Sequence, residues 1–135
     1  MLEIKDPNTE KTLHIIHRFV STQHGRQELV QPNNFLQCAA LGLNAGKTFK
    51  PHKHIWRQGE ENTIAQESWV VISGCVVVTY YDLSNNVISS HTLNPGDVSI
   101  TLEGGHNYTV MADNTIVYEF KTGPYRGQSN DKLFI

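Results

Sequence analysis

The stretch ESWVVISGCVVVTYYDLSNNVISSHTLNPGDVSITL, residues 67–102, decides the fold. Helical spacing of its apolar residues is scarce, and a period of two dominates. Residues 67–73 form a nearly continuous apolar run, which predicts a strand covered on both faces. Gly74 breaks that run, and residues 75–82 follow as a second strand. LSNN at 83–86 reads as a turn, since Asn tolerates positive φ. Residues 87–93 return as a third strand. NPGD at 94–97 is a strong turn signal, with Pro95 presetting φ and Gly96 free to take the next position. Residues 98–102 make a fourth strand.

Outward from this stretch the same rhythm continues. Residues 106–111 and 115–121 read as strands joined through EGG and ADN, and upstream so do 12–20, 35–43 and 50–55. Residues 25–34 read as a polar connection and 56–66 as a polar loop holding Gly59. Residues 122–135 read as an irregular tail. About nine short strands, with turn signals roughly every 8–12 residues, predict an antiparallel sandwich or barrel. The expected fold is an all-β, single-domain β-barrel of jelly-roll type over 1–135. Residues 1–34 supply an N-terminal strand and connection, 35–121 the barrel core, and 122–135 the tail. A chain of 135 residues suits one domain with a real core.

Charge excludes some partners. Eleven basic and 13 acidic residues give a net charge of -2, with no long block of either sign. Nucleic acid and membrane surfaces are therefore not expected partners. The apolar runs are too short to span a bilayer, and the N-terminus lacks the apolar core of a secretory signal. Cys38 and Cys75 imply no disulfide framework. They read as small buried hydrophobes in a reducing cytoplasm.

The chemistry lies in the histidines. His52 and His54 point to one face of a strand and Lys53 to the other. A bare pair of this kind fits a solvated strand edge as well as a metal site. Glu67 opens an apolar strand, where burying its charge unpaired would be costly and a cation would offset the cost. His106 opens another strand whose later members are apolar. Three imidazoles and one carboxylate, His52, His54, Glu67 and His106, make a candidate site for a divalent transition metal such as Fe, Mn, Ni, Co or Zn. Open coordination positions would remain for water or substrate. Tyr108 shares the face of His106 and is a candidate proton donor. Arg57, in the loop 56–66, is either a fork for a substrate carboxylate or phosphate or a solvated cation. That loop leaves one ligand strand and returns at the next ligand, so it is a candidate lid. His14, His17, His24 and His91 read as structural or solvated, and Tyr80 and Tyr118 as packing or cavity lining. A cavity-facing Cys38 thiol would change the metal preference.

A family resemblance rests on these residues. Gly46, five residues, His52-Lys53-His54, then Glu67, six residues and Gly74 resemble the first motif of the cupin superfamily, with a longer gap of twelve residues before Glu67. Pro95-Gly96-Asp97 and His106 resemble the second motif, although Thr101 and Glu103 stand where that motif has Pro and Gly. Over roughly 35–127 the chain is similar to the WbuC-type cupins associated with polysaccharide biosynthesis. LGLNAGKTFKPHKH, ESWVVISGCVVVTYYDLSNNVI and VYEFKTGPY carry that likeness. The resemblance implies a metal-binding cupin barrel. By analogy within such pathways, the ligand would be a small sugar or sugar nucleotide and the reaction isomerase- or epimerase-like. Fe(II)-dependent dioxygenase chemistry and non-catalytic small-molecule binding are the alternatives. A homodimer is expected from apolar edges and from a tail that could swap onto a partner.

Overall fold

A computed structural model describes residues 1–57 and 63–135. β1 (Leu2–Lys5) and β2 (Thr12–Ile16) form a separate hairpin, followed by a single 3-10 turn at Phe19–Ser21. Next come β3 (Gly25–Glu28), β4 (Leu36–Leu43) and β5 (His52–His54). β6 (Trp56–Arg57) and β7 (Thr63–Ile64) pair with each other. Residues 58–62, including Gly59 and the tip of the candidate lid, lie outside the described residues. The chain continues through β8 (Glu67–Ser73), β9 (Val76–Tyr81), β10 (Val87–Leu93) and β11 (Val98–Thr101). It closes with β12 (Gly105–Val110), β13 (Thr115–Thr122), a 3-10 turn at Gln128–Asn130, and β14 (Lys132–Phe134).

Two five-stranded sheets face each other, ordered β11-β8-β13-β4-β3 and β10-β9-β12-β5-β14. All the strand ladders within them are antiparallel. Among the described residues no strand ladder joins the two sheets, so the jelly roll is an open sandwich where a closed barrel was expected. Gly74 and the NPGD turn are two of the places where the chain crosses from one sheet to the other. At Gly74 φ is 82°, and an added Cβ would sit 2.1 Å from Thr115 Oγ1, which only glycine avoids.

Burial explains which side chains face inward. In β8 Glu67, Trp69 and Val71 are buried while Ser68, Val70 and Ile72 are partly exposed. The strand expected to be covered on both faces thus has one buried face and one half-covered face. The inner face carries Leu41, Val71 and Val117 from one sheet against Val76, Val78 and Val110 from the other. Trp69 stacks on Tyr108 at 3.9 Å between ring centroids and bridges the sheets. Burying each such aliphatic side chain contributes about 1.5–3 kcal/mol. The apolar filling occupies one end of the sandwich. The registers place Glu67, Thr101 and Lys121, with His52 and His106 opposite, at the other end.

Two expected irregular segments form edge strands. Gly25–Glu28 lies inside the expected polar connection yet pairs along β4. Its polar residues suit an exposed edge, which hid it in the sequence. Lys132–Phe134 lies inside the expected tail yet pairs along β5, opposite His54 and His52. Among the described residues no helix is long and apolar enough to cross a membrane. Leu41→Ala, in the apolar end away from the histidines, is expected to lower the unfolding free energy by about 2–5 kcal/mol in urea titrations.

Candidate metal centre

The two sheets deliver the donors from opposite sides. His52 and His54 stand on β5, His106 stands on β12 directly opposite His52, and Glu67 comes from β8 on the facing sheet. Gly104, with φ 90°, makes the tight approach to β12, where a Cβ would meet Tyr81 O at 2.7 Å. All four side chains are buried, and one donor atom of each lies within 4.8 Å of the others. His106 Nε2 is 3.1 Å from His52 Nε2, and His54 Nε2 is 3.2 Å from Glu67 Oε2. His106 Nε2 lies 3.4 Å from Glu67 Oε1. Donors bound at about 2.0–2.2 Å to one metal sit roughly 3 Å apart when adjacent, so these spacings fit a shared cation.

The outward nitrogens confirm the orientation of the rings. His52 Nδ1 donates to Lys50 O at 3.0 Å, because a carbonyl only accepts. His106 Nδ1 meets Thr101 Oγ1 at 2.6 Å. His54 Nδ1 faces Asp131 Oδ2 at 3.5 Å, an ion-pair distance without an ordinary hydrogen bond. Two rings are held by Nδ1 hydrogen bonds and the third faces a carboxylate with Nδ1, which leaves three Nε2 atoms converging with one carboxylate. Outer partners of this kind set the tautomer and aim of metal-ligating histidines. A 3-His-1-Glu set of borderline donors fits a divalent first-row transition ion.

Electrostatics follows from burial and pairing. For His54 burial disfavours the charged ring, but Asp131 and Glu67 outweigh it and raise its pKa to about 9. For His106 burial, with His52 and His54 nearby, pushes the pKa down to about 3. Burial also lowers that of His52. Burial opposes ionisation of Glu67, yet the His54 hydrogen bond and charge hold its carboxyl below the usual range. The same balance, with His54 and Lys121 against burial, holds Asp131 far below it.

Tyr108 is buried beside this cluster, its ring 5.2 Å from that of His106. Its hydroxyl shares a hydrogen bond with Ser99 Oγ at 3.2 Å, and burial raises its pKa strongly. Arg57 is committed elsewhere: its guanidinium donates to Pro124 O at 2.8 Å and to Asp131 Oδ1 at 3.3 Å. His17 bonds Tyr118 Oη through Nδ1 at 2.7 Å, and His14, His24 and His91 are exposed, so none joins the cluster. Burial pushes the Cys38 thiol up to about 11, the opposite of a reactive thiolate.

Three residues beside the cluster carried no signal, or a contrary one, in the sequence. Thr101, a departure from the second cupin motif, holds His106. Asp131, from the expected irregular tail, is 1% exposed and faces His54. Lys132 stands opposite His54 on β5 and lines the same cavity of about 1320 Å³ as His52, Glu67 and Tyr108. Among the described residues Lys132 has no carboxylate within salt-bridge distance.

No protein-family model matches the chain, and no curated protein matches it. Solved structures do. KdgF from Halomonas sp. aligns with a TM-score of 0.56 at 18% identity, over 75% of this chain and 80% of that one. The capsular polysaccharide assembling protein CapF from Staphylococcus aureus gives 0.65 at 16% identity, over 96% of this chain and 36% of CapF. A conserved protein with a double-stranded β-helix domain from Klebsiella pneumoniae gives 0.62 at 13% identity, over 98% of both chains. At such identities the likeness carries the fold: an all-β, cupin-type jelly roll.

The two shifted histidines set opposite pH limits. His54 keeps a proton that the unfolded ring loses above about pH 6.5, so its contribution is complete below that value and is lost as pH rises toward about 9. The unfolded His106 ring takes a proton below about pH 6.5 that the buried ring refuses down to about pH 3, so stability falls through that window. In chelator-treated protein, thermal melts of His54→Gln are expected to lose the alkaline decline and keep the acid one. Affinity for a divalent metal should rise between about pH 6 and about pH 8, because binding expels the His54 proton. A flat affinity in calorimetric titration would remove His54 from the ligand set.

Proposed function

We propose that the protein is a metal-dependent cupin that transforms a small hydroxylated carbonyl compound, of the sugar or sugar-nucleotide class, by isomerase- or epimerase-like proton transfer. The observation that carries this reading is the convergence of three Nε2 atoms and one carboxylate, of which His52 and Glu67 line a cavity of about 1320 Å³. His52, His54, Glu67 and His106 would hold the ion, which when bound supplies a Lewis acid for a carbonyl or hydroxyl oxygen. Tyr108 keeps its proton at neutral pH and is suited to donating a hydrogen bond to a substrate oxygen. The anchoring role considered for Arg57 passes to Lys132, since Arg57 already serves Asp131 and Pro124. Arg57 supports the site from behind.

The polysaccharide connection is supported by CapF, a capsular polysaccharide assembling protein of which about a third shares this fold. CapF has also been solved with the inhibitor 3-isopropenyl-tropolone. A tropolone, with adjacent carbonyl and hydroxyl oxygens, is therefore a reasonable probe for this cavity. The donor set equally suits an Fe(II)-dependent dioxygenase, the second reading. The exposed apolar residues Leu2, Ile4, Leu13 and Ile16 of the β1–β2 hairpin support a homodimer, measurable by light scattering.

The test begins with metal content after purification and reconstitution with Mn, Fe, Co, Ni or Zn. One ion per chain is expected, with His52→Ala and Glu67→Gln each weakening binding at least 100-fold while the strand circular dichroism persists. Turnover of a sugar-nucleotide panel under anaerobic conditions would support isomerase chemistry. Turnover only with O₂ uptake would move the assignment to the oxygenase. Ligand-dependent melting without turnover would make it a binding protein. Absence of stoichiometric metal under every condition would overturn all the metal-dependent readings.

A further inference from the structure

The C-terminal segment reaches the back of the candidate metal centre. β14 lies along β5 as an edge strand, and the residue just before it, Asp131, is buried under the sheet edge at 1% exposure. An isolated buried carboxylate is costly, and its partners show what it serves. Asp131 Oδ1 accepts from Arg57 at 3.3 Å, and Oδ2 accepts from Lys121 Nζ at 3.0 Å. The same Oδ2 stands 3.5 Å from His54 Nδ1, the one ring nitrogen of the cluster without an ordinary hydrogen bond. Two cations therefore hold a carboxylate against the rear of one histidine whose front, Nε2, faces Glu67.

We propose that Asp131 is the positioning residue of the metal centre: its carboxylate keeps the hydrogen of His54 on Nδ1 and aims Nε2 at the ion. Lys50 O does this for His52 and Thr101 Oγ1 for His106, so Asp131 completes the set with the only charged member. A carboxylate behind an imidazole also raises its basicity as a ligand. Arg57 and Lys121 hold Asp131 in place, and Arg57 Nη1 ties the same unit to Pro124 O in the segment that leads to β14. Metal binding is thereby linked to the seating of the last residues of the chain. Removing the segment from residue 131 onward would leave His54 without its rear partner, although the four donors remain.

This inference rests on the metal-centre reading, and the experiment separates the two. Wild type, Asp131→Asn and the double variant Asp131→Asn/Arg57→Gln are titrated with Co(II) and Zn(II). Dissociation constants, the Co(II) visible spectrum and the melting temperature of chelator-treated protein are recorded. Asp131→Asn keeps the size but removes the charge, and the double variant avoids a stranded Arg57 if the single one fails to fold. The expected result is a dissociation constant roughly 10–100-fold weaker with an altered Co(II) spectrum in the folded variant. A folded variant that melts earlier when metal-free but binds with wild-type affinity and spectrum overturns the proposal, since Asp131 is then structural alone. Failure of the wild type to bind either ion overturns the metal-centre reading beneath it, and the positioning role with it.

Discussion

One buried charge organises this molecule. Glu67 opens a strand rich in Trp, Val and Ile, faces inward, and is 6% exposed. A carboxylate in that position costs several kcal/mol unless partners compensate it. The facing sheet supplies them as imidazoles, with His54 at 3.2 Å and His106 at 3.4 Å, and Lys121 stands across the ladder from Glu67. Without an ion, a proton on His54 balances the charge. An ion would displace that proton, and the same atoms could serve as its ligands. The arrangement is therefore stable as a polar cluster and receptive as a metal centre.

The division of the sandwich into two ends follows from the same requirement. One end is filled by Val71, Val76, Val78, Val110, Val117 and Leu41 and excludes water. The other end keeps polar side chains in fixed orientations over a cavity. Trp69 and Tyr108 stand at the boundary: their rings stack between the sheets while their polar atoms bond Glu119 and Ser99. The packed end gives the rigidity that keeps three rings in one aim. The open end leaves room for a ligand. Similarity to KdgF and to part of CapF, at 18% and 16% identity, lies in the fold.

Much of the candidate site was legible in the sequence. The spacing of His52 and His54 dictates a common face on any strand, and the glycine and proline punctuation dictates short antiparallel strands. A carboxylate opening an apolar run signals a buried charge with a purpose. The errors have particular causes. β3 was hidden by Arg26, Gln27 and Glu28, polar because β3 is an edge. β14 is three residues long, too short for any period to show. Arg57 read as either an anion fork or a solvated cation because its partners, Pro124 and Asp131, are 67 and 74 residues away. Thr101 read as a defect in a motif, whereas it occupies the position from which a hydroxyl reaches His106.

Sequence alone determined the fold class, the common face of His52 and His54, and the identity of the four clustered donors. These depend on local alternation and turn chemistry, which operate over a few residues. Tertiary structure decided that the sheets stay open, that the last strand lies against the first histidine strand, and that Asp131 stands behind His54. Those facts depend on which strand pairs with which and in what register. Register between distant segments is set by the packing of the whole core, and no short stretch of sequence carries it.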